Sequence, residues 1–275
     1  MSNQRPRSEF TDVDHAKTPS DYVHILDVQR SMLFIQQYKQ RVRALLDLHP
    51  DLQVLDAGTG TGEDAQEMAK LVAPGGQVVG LDLSQIMIDE ARLRVQDPSL
   101  PLRFVQGDIQ HLPFENASFD CCYADRIFIH LPDPQLALSE LVRVTRPGGK
   151  LLIVEGDHET QVLDTPYPDV TRRFFRFRND GMRQPDIAHR LYALFRDAGL
   201  FDVQVEPLAR LTTDYETIQP VAQYIEGMRI AQSSGIVTAE EAEQWILYLQ
   251  EAMQNGRFFH AITWFITIGR KPQRD

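Results

Sequence analysis

Cysteine is nearly absent from this sequence: 275 residues hold two, adjacent at Cys121 and Cys122. Adjacent cysteines cannot form an ordinary structural disulfide, and two are too few for a zinc cluster. They read as buried thiols in a reducing compartment, which points to a cytoplasmic protein. Basic residues are also short, with Lys plus Arg at 28 against Asp plus Glu at 39 and a formal net charge of -11. That balance works against attraction to nucleic acid or an anionic membrane, so neither is expected as a partner. Long apolar runs are missing as well. None approaches membrane-spanning length, and the polar start with Arg5 and Arg7 is followed by no apolar signal core. The 43% hydrophobic content is enough for one substantial core with an inserted or appended cap.

Residues 1 to about 21 are polar, contain two prolines and show no sustained period, so residues 1–27 are expected to form a flexible leader. Over 28–48 the apolar positions Met32, Ile35, Tyr38, Val42, Leu45 and Leu46 fall three or four apart, which predicts one amphipathic helix. Short apolar runs follow at 53–56, 77–81, 102–106, 119–124 and 150–155, separated by helical stretches such as the one bearing Ala65, Met68, Ala69 and Val72. Alternation of this kind predicts a parallel sheet with helices on its faces. Pro74-Gly75-Gly76 and Pro147-Gly148-Gly149 read as turns between the runs.

Beyond these runs, Ile187, Leu191, Leu194, Phe195 and Ala198 mark a helix ended by Gly199, and residues 202–206 alternate like a strand. Thr238 with Glu241 makes a capping box before a helix carrying Ala242, Trp245, Ile246, Leu249 and Met253. A preceding helix is expected over about 217–231 and a final strand over 261–269. Residues 28–275 then form one domain, with a cap inserted at about 212–257.

The segment Asp56-Ala57-Gly58-Thr59-Gly60-Thr61-Gly62 follows a strand and opens a helix, where a doubly wound fold binds a nucleotide. Its glycines are spaced GxGxG rather than GxGxxG, and Asp56 stands just before them. A carboxylate there repels a pyrophosphate but suits the ammonium of a methionine moiety. The next strand ends at Asp82, 26 residues on, where a carboxylate can accept ribose hydroxyls. The third ends before Asp108, which could accept an adenine amino group. Asp82 or Asp108 taken singly could equally be a loop residue capping the next helix. Jointly they converge on one ligand, S-adenosyl-L-methionine.

With these residues in place the sequence resembles the class I S-adenosylmethionine-dependent methyltransferases, and is similar to the ubiquinone and menaquinone biosynthesis methylases within them. The motifs that carry the resemblance are the Asp56 to Gly62 loop, Leu112-Pro113-Phe114-Glu115-Asn116-Ala117-Ser118-Phe119-Asp120 before the fourth strand, and Arg143-Val144-Thr145-Arg146-Pro147-Gly148-Gly149 before the fifth. The resemblance implies an α/β fold, a Rossmann-like doubly wound, seven-stranded, mostly parallel sheet with an antiparallel last strand and a helical cap. It implies contacts to the methionine part from Asp56, Gly58 and Gly60, to the ribose from Asp82 and Leu83, and to the adenine from Asp108 and Ile109. Asp125 and Arg126 would flank the methionine part. Arg30 or Tyr38 is a weaker candidate for the cofactor carboxylate, against an exposed helical arginine and a core tyrosine.

Transfer from a sulfonium is an in-line displacement, so the protein must mainly align the acceptor and remove a proton where the nucleophile carries one. His130, Asp157 and His158 lie beyond strand carboxyl ends and are the acceptor-side candidates. The alternative for His130 is a histidine that fixes its loop, and Glu155, inside the strand end, is expected to pack or cap. Asp125 and Asp157 could ligate a metal in principle, but no supporting acid and amide pair accompanies them, so no metal is expected. The stretch Arg172 to Arg178 mixes arginines with phenylalanines, and in so acidic a chain it reads as a helix with buried rings and solvated charges rather than a nucleic-acid surface. Motifs expected of base-amine, cytosine-carbon and protein-arginine methylation are not apparent. The expected partner is therefore a small, hydrophobic or aromatic acceptor, with a homodimer as the assembly left open. Two other readings stay open. One is an adenosylmethionine-binding cyclase or non-catalytic binding protein. The other is a nicotinamide-dependent oxidoreductase, which fits poorly at Asp56 and at the glycine spacing.

Overall fold

The computed structural model describes residues 10 and 12–273; residues 1–9 and 11 of the expected leader lie outside the described residues. Two helices precede the first strand, α1 (Pro19–Ser31) and α2 (Leu33–Leu46). The single helix expected over 28–48 is therefore broken, at Met32, whose backbone is extended between the two. Helix α1 also begins inside the stretch expected to be loose. Its apolar side is short and packs on neighbouring elements, so periodicity alone gave little sign of it.

The alternating part follows as β1 (Gln53–Ala57), α3 (Glu63–Val72), β2 (Gln77–Asp82), α4 (Gln85–Leu93), β3 (Leu102–Gln106), β4 (Phe119–Asp125), α5 (Pro134–Val144) and β5 (Thr145–Gly156). Helix α5 shows how sequence sets a boundary: Pro134 fits its first turn and the Asp133 carboxylate accepts the Leu136 amide. The Pro147-Gly148-Gly149 segment, expected as a turn, is part of β5. It runs alongside a register shift between Phe119 and Cys121, and Gly148 has φ 79. A two-residue β6 (Val162–Leu163), α6 (Pro168–Asn179), α7 (Ile187–Asp197) and β7 (Phe201–Thr212) lead to α8 (Tyr215–Ala222), α9 (Tyr224–Ser233), α10 (Ala239–Gln254) and β8 (His260–Arg270).

The main strands order as β3-β2-β1-β4-β5-β8-β7, with β6 pairing the start of β8. All are parallel except β8, which runs against both β5 and β7. This is the Rossmann-like, mostly parallel sheet of seven strands with an antiparallel last strand, supplemented by the short β6. Alternate strand residues serve opposite faces. Leu55, Cys122 and Ile153 pack with α5 and α7, whereas Val54, Cys121 and Leu152 pack with α2, α3 and α4. The two adjacent cysteines thus lie on opposite faces of β4. Burial pushes their thiols up, to about 11 for Cys121 and about 12 for Cys122.

A third cluster joins α6 to the helices between β7 and β8, around Phe174, Tyr224 and Trp245. The indole N–H of Trp245 donates to Thr171 Oγ1 at 2.9 Å, so the cap core is also pinned by a polar contact. The helix expected over 217–231 is two helices, separated at Gln223 with φ 45. Pro220 lies near the end of the first of them, where it removes a backbone donor. Among the described residues no helix is long and apolar enough to cross a membrane.

Candidate active site

The carboxyl ends of β1, β2, β3, β4 and β5 open into a cavity of about 900 Å³. Asp56, at the end of β1, is 2% exposed and accepts the Thr59 hydroxyl at 2.7 Å. Burial, reinforced by the nearby Asp64 carboxylate, pushes its acid up to about 7. The loop after it passes through positive φ at Gly58 (82) and Gly60 (54). A Cβ on Gly58 would lie 2.2 Å from Ile127 Cδ1, so only glycine lets the loop pass under the β4 loop. Asp82 reaches back across the loop: one oxygen accepts the Gly60 amide at 2.9 Å, the other the Ser84 amide at 3.0 Å. Burial outweighs these amides and raises its acid above the usual carboxylate range. Leu83 is largely exposed on the cavity wall, Asp108 accepts the Gln110 amide at 2.8 Å, and Ile109 anchors the loop in the core.

The amino-terminal segment covers this end. The Asp14 carboxylate accepts the amides of Gln85 at 2.9 Å and Ile86 at 3.2 Å and the Ser84 hydroxyl, and so caps α4 from a distant part of the chain. Val13, Tyr22 and Met87 form a small apolar cluster beside it, and the Phe10 ring lies 5.7 Å from that of His130. Arg94 ties Asp27 of α1 at 2.5 Å to Glu63 of α3 at 2.8 Å. Arg30 pairs with the same Glu63 at 3.2 Å on the cavity rim, mostly exposed. The other weaker candidate, Tyr38, is a core residue whose hydroxyl donates to Asp125 at 2.9 Å.

Asp125 is buried and also pairs with Lys39 Nζ at 2.8 Å and Arg126 Nε at 3.5 Å. Burial alone would raise its acid, but Lys39 and Arg126 hold it below the ordinary range. Lys39 further pairs with Asp64, so it binds α2 to the glycine-loop helix and to β4 together. Sequence periodicity gave no hint of Lys39, since it marks α2 only as amphipathic. Arg126 lines the cavity with φ 60 and bonds Gln29 of α1.

At the acceptor end the three candidates separate. His130 and His158 both line the cavity. Burial, with Arg126 and Arg183 nearby, pushes His130 down to about 4; burial, with Arg178 and Arg210 nearby, pushes His158 down to about 3. Both imidazoles are neutral at pH 7. Asp157 does not meet the expectation that it faces the acceptor. Its carboxylate is fully buried outside the cavity lining, accepts the Glu159 amide at 3.1 Å and pairs with His189, so it caps the turn after β5. Glu155 accepts the Phe128 amide at 2.6 Å, the capping role expected of it, and burial followed by repulsion from Asp125 pushes it up to about 8. The arginine and phenylalanine stretch is largely the expected helix: Phe174 and Phe175 are buried, Arg172 pairs with Asp169 at 2.5 Å and Arg173 with Glu241 at 2.5 Å. Arg178 departs from it by pointing inward to the cavity. Trp264 Nε1, on the same wall, is buried without a hydrogen-bond partner among the described residues.

The arrangement fits S-adenosylmethionine: a glycine cradle that Cβ atoms would fill, with Asp56, Asp82 and Asp108 on three successive strand ends around one cavity. Among the described residues no three His, Cys, Asp or Glu side chains are grouped to hold a metal ion. Asp125 is consumed by Lys39 and Tyr38, and Asp157 lies outside the cavity lining.

Residues 55–153 match the family described as "Methyltransferase domain". An uncharacterized 37.1 kDa protein in transposon TN4556 of Streptomyces fradiae is 34% identical over 252 residues, 91% of this chain and 71% of that protein. The ubiquinone/menaquinone biosynthesis C-methyltransferase UbiE of Bdellovibrio bacteriovorus is 33% identical over 155 residues, 56% of this chain and 65% of its own length. Among solved structures, phosphoethanolamine N-methyltransferase 2 of Haemonchus contortus in complex with S-adenosyl-L-methionine superposes with a TM-score of 0.62 at 19% identity, covering 96% of this chain and 60% of that one.

Proposed function

Because the chain belongs to the class I S-adenosylmethionine-dependent methyltransferases, we propose that it methylates a small, hydrophobic or aromatic metabolite seated between the end of β4 and the helical cap. The observation that carries this reading is the continuity of one cavity from the strand-end acids to a chamber walled by Ile129, Val221, Tyr224, Ile262 and Trp264. Its volume of about 900 Å³ lies at the upper end of the roughly 300–1,000 Å³ typical of a ligand site, consistent with cofactor and acceptor side by side. The quinone-biosynthesis relative supports an aromatic acceptor.

The cofactor supplies an electrophilic methyl group on a sulfonium. On this reading Asp56 holds its ammonium, Asp82 with Leu83 its ribose, and Asp108 with Ile109 its adenine. Gly58 and Gly60 let the backbone come close, and Arg126 closes the methionine end beside Asp125. Phe10 and Val13, beside the Asp14 cap, line the cavity at this end. His130 and His158, held neutral, can each accept a hydrogen bond from the acceptor but are weak bases at about 4 and about 3. Acceptors that lose their proton readily, such as phenols and stabilised carbon acids, would ask least of these two bases. Incubation with methyl-labelled S-adenosylmethionine and a panel of phenols, quinone-like compounds, aromatic carboxylates, tRNA and protein tests the reading. Label in a small aromatic product supports it, and label only in tRNA or protein overturns it.

A further inference from the structure

We propose that the acceptor carries one anionic group, a carboxylate or a phosphate, gripped by Arg178 and Arg210 at the cap end of the cavity. This rests on the reading of that chamber as the methyl-acceptor site. Arg178 comes from the last turn of α6 and Arg210 from β7, where it stands opposite Ile262 of β8, a residue of the same cavity wall. Both line the cavity. The Arg178 guanidinium lies 5.2 Å from the Tyr224 ring centre and 5.6 Å from that of Phe174, so aromatic faces orient it.

Neither arginine has a carboxylate partner among the described residues. A guanidinium offers five N–H donors. Arg178 uses one, to the Ala222 carbonyl at 2.6 Å, and Arg210 uses none, with its Nε buried and unpartnered. Elsewhere this chain supplies an acid when it needs an arginine for structure: Arg94 with Asp27, Arg126 with Asp125, Arg143 with Glu140, Arg173 with Glu241. Desolvation, offset only in part by the nearby Tyr224 hydroxyl, lowers the affinity of both Arg178 and Arg210 for their protons. His158 and His260 each feel both cations, and with burial as the larger cause each is pushed down to about 3.

A purely structural role accounts for part of Arg178. The break at Gln223 frees the last carbonyls of α8, and Arg178 satisfies that of Ala222. It leaves the remaining donors of Arg178 unexplained, and all of those of Arg210. Both side chains are half-buried, with Arg210 Nε the buried donor left unpartnered, and an anion in the cavity would supply the missing counter-charge. The planar fork of each guanidinium matches the paired oxygens of a carboxylate or phosphate. Trp264, Ile262 and Val221 would then take the apolar remainder of the acceptor.

The test uses the full chain, with and without saturating S-adenosylhomocysteine, titrated calorimetrically with benzoate, phenyl phosphate and the neutral benzamide at fixed ionic strength. The inference expects benzoate or phenyl phosphate to bind at least about tenfold tighter than benzamide. The tighter of the two identifies the anionic group. Arg210→Met should abolish the preference while leaving S-adenosylhomocysteine affinity unchanged. Arg210→Lys, which keeps the charge and loses the fork, should weaken it. Equal affinity for all three probes overturns the inference, as does a preference that survives both Arg210→Met and Arg178→Met. If the substituted chains fail to fold, the three-probe comparison on the unsubstituted chain decides. Absence of S-adenosylhomocysteine binding would contradict the methyltransferase reading instead, and the titrations without it still read the anion site.

Discussion

Asp56 is buried beside Asp64 and also faces the cavity. With its acid pushed up to about 7, the free site holds a proton at mildly acidic pH. A bound ammonium requires the carboxylate, so binding below pH 7 must expel that proton. Lys39, Asp64 and Asp125 are the charged groups around it. The dissociation constant of S-adenosylhomocysteine should therefore rise about tenfold per pH unit below 7 and stay level just above it, and an affinity constant from pH 5.5 to 8 would contradict the role given to Asp56. Gly58→Ala makes a second demand, because φ 82 and the 2.2 Å approach to Ile127 leave no room for a Cβ. Strain of about 1–3 kcal/mol is expected, read as a lower denaturation midpoint together with weakened cofactor binding. That Asp56, Asp82 and Asp108 meet around one cavity was legible in the sequence, because each stands at a fixed offset from a strand end. Lys39 was not, because its meaning lies in Asp64 and Asp125 on other elements, and Arg210 was not, because it reaches the cavity only through the pairing of β7 with β8. Asp157 misled for the same reason: topology placed it near the site, and His189 and the Glu159 amide turn it away.

At the scale of elements, the most informative discrepancy is the amino-terminal segment. Its polar composition suggested a loose leader, yet residues 12–15 are docked over the site by the Asp14 carboxylate and a few apolar side chains, and α1 is held further by Arg94 on Asp27 and Arg126 on Gln29. Such a strap is invisible to periodicity because it borrows the helix end of α4. Asp14→Ala removes the cap and should cost about 1 kcal/mol. The loss should appear as faster amide exchange over residues 12–31 and weaker S-adenosylhomocysteine binding. Unchanged exchange there would show that Asp14 does not hold the segment. In the cap, Trp245 is fully buried against Phe174 and donates to Thr171. Trp245→Ala should cost about 3–5 kcal/mol in denaturant unfolding, and a loss under 1 kcal/mol would mean the cap is not one packed unit. The capping box at Thr238 and Glu241 was readable from spacing alone and marks the start of α10. The break at Gln223 was not, since the apolar period continues across it.

Across the whole molecule, the sheet order β3-β2-β1-β4-β5-β8-β7 brings Asp56, Asp82 and Asp108 to the carboxyl ends of three neighbouring strands, and residues inserted between β7 and β8 line the same cavity. Alternating strands and helices made that order readable. The far end of the cavity, proposed above as the acceptor chamber, is lined from α6, β7 and the helices after it, and that meeting in space is seen only in the folded chain. The central claim is that the cavity is built for S-adenosylmethionine, with Asp82 accepting its ribose. The most direct test is calorimetric titration of the full chain with S-adenosylhomocysteine and, separately, with NAD, repeated on Asp82→Ala. Binding of S-adenosylhomocysteine alone, weakened at least about tenfold by the substitution, is the result expected. Binding of NAD, or S-adenosylhomocysteine affinity indifferent to Asp82, would contradict the account.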